Sequence, residues 1–238
     1  MVYALCLAGG NGTRMGNVGT PKQFLLINQK PIIIYTLEKL LKNMEIDKVI
    51  AVCNPNYCEY LKVLLKGYDI DKKVEVISGS DSRLNSTLNG INYIKNNYGI
   101  NEDDIFIAHD AVRPFTSSRI FSENINQAKI HKAATTVYDL SETISEVDCN
   151  NKIYKLYPRK NLFSGQSPQT FNINYFIKSI DKIPEIAKNG FTDLAECIVY
   201  NNETVVPIKG EKNNIKITTP IDLIVADTII QNIESTNL

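Results

Sequence analysis

The sequence predicts an α/β fold: a Rossmann-like, mostly parallel twisted sheet with helices on both faces and a protruding β-arm. Two observations predict it. Short apolar, β-prone runs alternate with helix-spaced apolar patterns, and that alternation calls for right-handed crossovers and a sheet covered on both sides. The composition, 43% hydrophobic and 22% charged over 238 residues, is that of a globular chain at a length where α/β folds are often one domain.

The elements follow in order along the chain. Residues 2–7 are an apolar run ending in glycines and read as a buried strand, and 32–43 carry apolar residues at helical spacing. Lys48–Cys53 is the next strand, followed by a helix over 57–66 and a strand over 74–77. Residues 82–98 place Leu84, Leu88, Ile91 and Ile94 on one helical face, and a strand over 104–108 runs straight into His109 and Asp110. The pattern changes after residue 133. A strand resumes over 133–137, but 139–164 mixes alternating segments, polar turns and Pro158, and reads as an arm inserted into a single domain spanning 1–238. Helical pattern returns at 175–180 and 193–200, a last strand covers 205–208, and a helix from Pro220 to 233 closes the chain.

Charge and cysteine usage exclude several classes. Lys plus Arg and Asp plus Glu both number 26, so no overall basic field draws the molecule to nucleic acid or an anionic membrane. Five cysteines form no C-x-x-C pair and suit no closed disulfide framework, and Cys6 and Cys53 sit inside apolar runs. Two histidines, His109 and His131, are too few for a His-rich metal site. The N-terminus lacks a basic segment of the secretory kind, and no apolar stretch reaches the roughly 18 residues a spanning helix needs. The expectation is a soluble cytoplasmic protein.

Four constellations carry chemistry. The first is L-A-G-G-N-G-T-R-M-G at 7–16, followed by P-K-Q-F at 21–24. Its four glycines let backbone N–H groups approach a phosphate chain, and Arg14 and Lys22 add two cations suited to a transferring phosphoryl group. It is neither a Walker A loop nor a G-x-G-x-x-G fingerprint; an ordinary strand-ending turn would explain the glycines but has no use for the cations. The second, G-S-D-S-R-L-N-S-T at 79–87, opens a helix; Ser and Asp cap helices well, and Gly79, Arg83 and Ser86 would alternatively reach a nucleotide. The third, H-D-A-V-R-P at 109–114, puts Asp110 at the carboxyl end of a strand, where open α/β sheets bind ligands. Asp110 would hold magnesium there, or form a plain ion pair with Arg113; His109 reads as a structural histidine. The fourth is N-I-K-I-T-T-P-I-D-L at 214–223. Thr219, Pro220 and Asp222 have a complete explanation as a helix start. Lys216 has none, and points to an anionic substrate.

These motifs, with G-Q-S-P-Q-T-F at 165–171 and F-T-D at 191–193, resemble in their order the sugar-alcohol-phosphate cytidylyltransferases over residues 3 to about 231. H-D-A-V-R-P-F, G-Q-S-P-Q-T-F-N-I and T-T-P-x-D-L-x-x-A look closer to the ribitol-phosphate branch, with Val112 and Leu194 where the methylerythritol-phosphate branch has other residues. The resemblance implies transfer of CMP from CTP to D-ribitol 5-phosphate, giving CDP-ribitol for wall or capsule polymers, with 2-C-methyl-D-erythritol 4-phosphate the alternative acceptor. It further implies that Leu7, Ala8, Gly9, Gly10, Gly12, Gly79, Ser80, Asp81, Arg83, Asn85 and Ser86 bind CTP, and that Arg14 and Lys22 are catalytic. Arg113, Thr143, Arg159, Ser167, Thr192 and Lys216 would position the acceptor, and Asp110 would bind Mg²⁺. Asn213 stands where some methylerythritol-phosphate members carry an aspartate, so Asp110 alone is assigned to the metal. The resemblance also implies a homodimer joined through the arm, with Thr143 and Arg159 serving the partner's site. A phosphate monoester is already an anion able to attack the α-phosphorus of CTP in line, so the site needs cations and positioning and no strong base. A dead nucleotide-binding scaffold would have no use for both phosphate clamps, and a nucleotidyltransferase of unrelated specificity would not share the whole order of motifs.

Overall fold

The computed structural model describes residues 1–10 and 19–236. Gly12 and Arg14 lie outside the described residues.

The chain runs β1 (Val2–Ala8), β2 (Leu26–Ile27), β3 (Lys30–Pro31), α1 (Ile32–Lys42), β4 (Lys48–Cys53), α2 (Cys58–Gly67), β5 (Val74–Ser78), α3 (Arg83–Tyr98) and β6 (Ile105–Asp110). It continues with α4 (Ser118–His131), β7 (Ala133–Asp139), β8 (Ile144–Val147), β9 (Ile153–Tyr157), β10 (Phe163–Asn172), α5 (Ile173–Asp181), α6 (Glu185–Lys188), α7 (Glu196–Val199), β11 (Val206–Lys209) and α8 (Pro220–Thr236). Among the described residues, seven strands form one sheet in the order β11-β7-β10-β6-β1-β4-β5, in which β10 alone runs antiparallel to its neighbours.

The two-sided burial expected of a parallel sheet is visible in β1. Its Ala4 and Cys6 pack with Ile33, Ile34 and Leu37 of α1, Leu61 of α2 and Phe121 of α4. Tyr3 and Leu5 face the opposite way, toward Leu84, Ile91 and Ile94 of α3 and Phe176 of α5. That is the period of two of an extended chain acting on a strand whose both faces are dry. Helix α3 crosses β1 closely: a Cβ on Gly90 would lie 2.7 Å from Leu5 Cδ1, so only glycine fits there without displacing the core.

The chain steps outward from β1 through β4 to β5, then α3 carries it back to β6 on the other side of β1. The strand order therefore reverses between β1 and β6, and the crevice above their carboxyl ends is where such sheets bind ligands.

Three differences from the sequence expectations have physical causes. The apolar pattern gives no sign of α4, because its buried face (Ile120, Phe121, Asn124, Ile125, Ala128) includes an asparagine; Asn124 donates its amide to Thr136 Oγ1 at 2.9 Å, so a polar residue occupies a core position with its donor satisfied. Strand β10 is hidden by Pro168, which a central strand should not contain; the ladder with β7 shifts register between Gln166 and Gln169, and the proline sits at that interruption, following a cis Ser167–Pro168 peptide. The arm, expected over 139–164, is the separate β8–β9 hairpin, while Asp139 belongs to β7 and residues 163–164 to β10. No helix among the described residues is long and apolar enough to cross a membrane.

Candidate active site

A cavity of about 240 Å³ opens at the carboxyl ends of β1 and β6. Leu7, Ala8, Gly9 and Gly10 bring the end of β1 to it, Ser80, Asp81, Arg83 and Ser86 the start of α3, and Asp110 the end of β6; Lys22 and Lys216 complete it. Three of the four motif groups singled out in the sequence thus converge with the lysine of the fourth.

Each wall has a local cause. Lys22 begins a single 3₁₀ turn, Lys22–Phe24, fixed by burial of the two residues after it. Phe24 packs between Tyr57 and Tyr60 at centroid distances of 5.6 and 5.0 Å, and Gln23 donates from Nε2 to Ala8 O at 2.8 Å. That bond sets the backbone of the first loop, and nothing in the sequence pattern announces it. At the second loop, Ser82 caps α3 by accepting from Asn85 N at 3.0 Å, while Ser86 Oγ accepts from Ser80 N at 2.9 Å. Gly79 has no room for a side chain, since a Cβ would stand 3.1 Å from Ser86 Oγ and 3.2 Å from Cys53 O. The positive end of α3 therefore faces the cavity, an arrangement that favours anions. Asn85 is exposed and donates to Asp81 Oδ1 at 3.0 Å; it supports the loop from outside the cavity wall.

Asp110 is the electrostatic centre. Its Oδ1 pairs with Arg83, and its Oδ2 lies 3.0 Å from Lys216 Nζ and 3.3 Å from Arg113 Nε. Burial opposes its ionisation, yet Arg83, Lys216 and Arg113 hold the carboxyl well below the usual carboxylate range. Three cations around one carboxylate leave a surplus of positive charge there, and Lys22 adds a further cation to the cavity lining. Arg83 is steadied from behind by Gln169 Oε1 at 3.4 Å, whose amide in turn donates to Asp193 Oδ1 at 2.6 Å.

Three residues expected to touch the acceptor in their own subunit's site, Arg113, Ser167 and Thr192, do not line the cavity. Arg113 is buried, with Nη1 donating to Asn214 O at 2.6 Å, so it braces Asp110 from the protein side. Ser167 is also buried: its Oγ accepts from Asp110 N at 3.1 Å and hydrogen-bonds His109 Nδ1 at 3.0 Å. His109 has the structural part expected of it, with Nε2 near Thr116 Oγ1 at 3.2 Å; burial pushes its imidazole down to about 3, leaving it neutral. Thr192 is exposed and donates to Glu196 Oε1 at 3.0 Å. Thr143 and Arg159 are exposed on the arm and do not line the cavity of their own chain; Arg159 Nη1 donates to Ser141 O at 2.6 Å. The start of α8 is as read, except that Asp222 Oδ2 itself gathers the N–H groups of Thr218 and Thr219, each at 2.8 Å.

Residues 2–232 match the family described as IspD, 2-C-methyl-D-erythritol 4-phosphate cytidylyltransferase. The chain is 38% identical over 231 residues to a ribitol-5-phosphate cytidylyltransferase of Lactiplantibacillus plantarum, covering 97% of this chain and 99% of that protein. Among solved structures, 4-diphosphocytidyl-2C-methyl-D-erythritol synthase of Anaerococcus prevotii superposes with a TM-score of 0.78 at 25% identity, covering 97% of this chain and 96% of that one. The Francisella tularensis 2-C-methyl-D-erythritol 4-phosphate cytidylyltransferase gives 0.76 at 28% identity, with 95% and 98% covered.

Proposed function

The chain belongs to the IspD family of cytidylyltransferases, and from that premise we propose that it transfers CMP from CTP to D-ribitol 5-phosphate, releasing pyrophosphate and CDP-ribitol. The observation that carries the acceptor is the 38% identity, over nearly the full length of both chains, to a ribitol-5-phosphate cytidylyltransferase. The related structures named for the methylerythritol reaction stand at 25% and 28%. The family's own description keeps 2-C-methyl-D-erythritol 4-phosphate as the second reading.

The site supports the chemistry as follows. The glycine loop after β1 and the N-terminus of α3 cradle the triphosphate through backbone N–H groups. Lys22, with Arg14 eight residues before it in sequence, neutralises charge growing on the α-phosphate. Lys216 and Arg83, now paired with Asp110, are partly exposed and turn to incoming phosphates. An acceptor phosphate oxygen then attacks the α-phosphorus as pyrophosphate leaves, and positioning supplies most of the rate.

Asp110 is the carboxylate we assign to magnesium, an ion that can take one carboxylate and complete its shell with phosphate oxygens and water; both Asp110 oxygens are ion-paired here, with Arg83, Lys216 and Arg113. Asp110 is accordingly the residue that would hold Mg²⁺, and the ion would supply neutralisation of the triphosphate. Lys216 and Arg83 are the partners a phosphate chain can draw away from that carboxylate; buried Arg113 stays behind it.

The arm completes the reading. Val147, Ile153, Tyr154 and Leu156 are exposed on a lone two-stranded hairpin, and such a hairpin is marginal without a surface to cover it. A second copy of the chain is the partner we assign to it, with Thr143 and Arg159 reaching the other subunit's acceptor. We assign the reaction's product to wall or capsule polymer synthesis.

Pyrophosphate release with CTP and Mg²⁺, comparing the two polyol phosphates, tests the assignment. Preference for ribitol 5-phosphate is the expected result; preference for the methylerythritol compound would overturn the acceptor and keep the mechanism.

A further inference from the structure

We propose that Asn214 is the positioning residue that holds Lys216 at the reaction centre. The inference rests on the reading of Lys216 as an acceptor-phosphate ligand for its consequence in catalysis, but its structural basis is independent of it.

Lys216 lies on the segment between β11 and α8, which has no regular secondary structure and no ladder to fix it. Asn214 holds it before Lys216, and after it Ile217 is buried beside Val112 and donates its backbone N–H to Val112 O at 3.0 Å. Asn214 is fully buried, and its amide uses both ends: Oδ1 accepts from Thr116 Oγ1 at 2.8 Å, and Nδ2 donates to Ser167 O at 2.9 Å and Gln166 Oε1 at 3.0 Å. Its backbone carbonyl takes Arg113 Nη1. Asn214 thereby joins the loop after β6, the proline interruption of β10 and the Lys216 segment. The Lys216 side chain leaves this knot to stand 3.0 Å from Asp110. A second observation agrees: a Cβ on Gly210 would sit 2.3 Å from Gln166 Oε1, so the start of the same segment is pressed against Asn214's partner. A buried amide with every bond used is a rigid joint, because leaving any of its partners unpaired is costly.

Two measurements on the full-length protein test this. In the first, lysines are converted to isotopically labelled dimethyl-lysine, and the Lys216 resonance is assigned by its loss in Lys216→Arg. Asn214→Ala should move that resonance to the position of solvent-exposed lysines; a resonance left in place overturns the proposal, whatever acceptor the enzyme uses. In the second, turnover is followed in a double-mutant cycle. Asn214→Ala alone should lower kcat/KM for the polyol phosphate by about tenfold or more and leave CTP affinity unchanged, while on a Lys216→Ala background it should cost less than about threefold. Equal factors on both backgrounds, or a parallel loss of CTP affinity, would mean a merely structural role and sink the idea. Should Asn214→Ala not fold, Gln166→Ala removes one of the amide's partners and is read by the same resonance. An unmoved Lys216 resonance in Asn214→Ala rejects the positioning role whatever the assay shows; a moved resonance, with the wild-type enzyme silent toward the polyol phosphate, keeps the positioning role and rejects the acceptor assignment instead.

Discussion

Asp110 illustrates how a single residue can be read two ways until its neighbours are known. The sequence leaves it as a metal ligand or half of an ion pair with Arg113; the structure adds Arg83 and Lys216 and makes it the anionic hub of a cationic site. Charge stabilisation of this kind predicts that Lys22→Ala lowers kcat on the order of 10²–10³ with little change in KM, measured by steady-state pyrophosphate release. His109 carries a different prediction. Its imidazole stays neutral in the fold down to about 3, whereas the unfolded chain takes up that proton near an ordinary value of ~6.5. The unfolded state thus binds more protons in that window, so the stability from neutral His109 is fully present above ~6.5 and drains away as the pH falls toward 3. Urea unfolding at pH 7 and pH 5 should differ by about 1–2 kcal/mol on this account, and His109→Gln should flatten the dependence. At this scale the loops were legible because glycines and cations are written out in one short stretch. Gln23, Gln169 and Asn214 were not, because each acts through a buried hydrogen bond to a residue distant in sequence. Arg113 and Ser167 were named from their motifs, but only packing reveals that they stand behind Asp110.

Among the elements, β1, β4, β5, β6 and α3 are legible to within a residue or two, since continuous apolar runs and helical spacing are what two-sided burial demands. Helix α4 and strand β10 escape because each carries a residue that breaks the local rule, Asn124 in one and Pro168 in the other. The core beneath them is testable. Phe106 contacts Phe171 and Phe176 at 5.4 and 4.9 Å, joining β6, β10 and α5, and Phe106→Ala should cost about 3–5 kcal/mol in chemical denaturation. The arm bears its own prediction. Arg159→Ala and Lys216→Ala should each keep only a small but measurable residual rate alone, yet mixing the two after unfolding and refolding together should restore about a quarter of the wild-type rate, the share of intact sites in randomly paired two-fold dimers. No recovery on mixing would place Arg159 in its own subunit's site.

For the whole molecule, balanced charge and local surplus coexist: the 26 basic and 26 acidic residues cancel overall, while Lys22, Arg83 and Lys216 gather in the cavity at the carboxyl ends of β1 and β6. Sheet order has a consequence of another kind, in time. Strands β6 and β7 are successive in the sheet's main direction, yet β10, made more than 20 residues after β7 ends, is the strand that joins them. While the chain is being synthesised, β6 must wait with one edge unpaired, and β7 with both, until β10 has emerged; the two halves of the sheet cannot communicate before then. Such open edges invite wrong pairings, so a ribosome stalled before residue 163 would hold a chain prone to clump. Hydrogen exchange on ribosome-bound chains stalled before residue 163 should find the amides of β6 that face β10 unprotected while those that face β1 are protected.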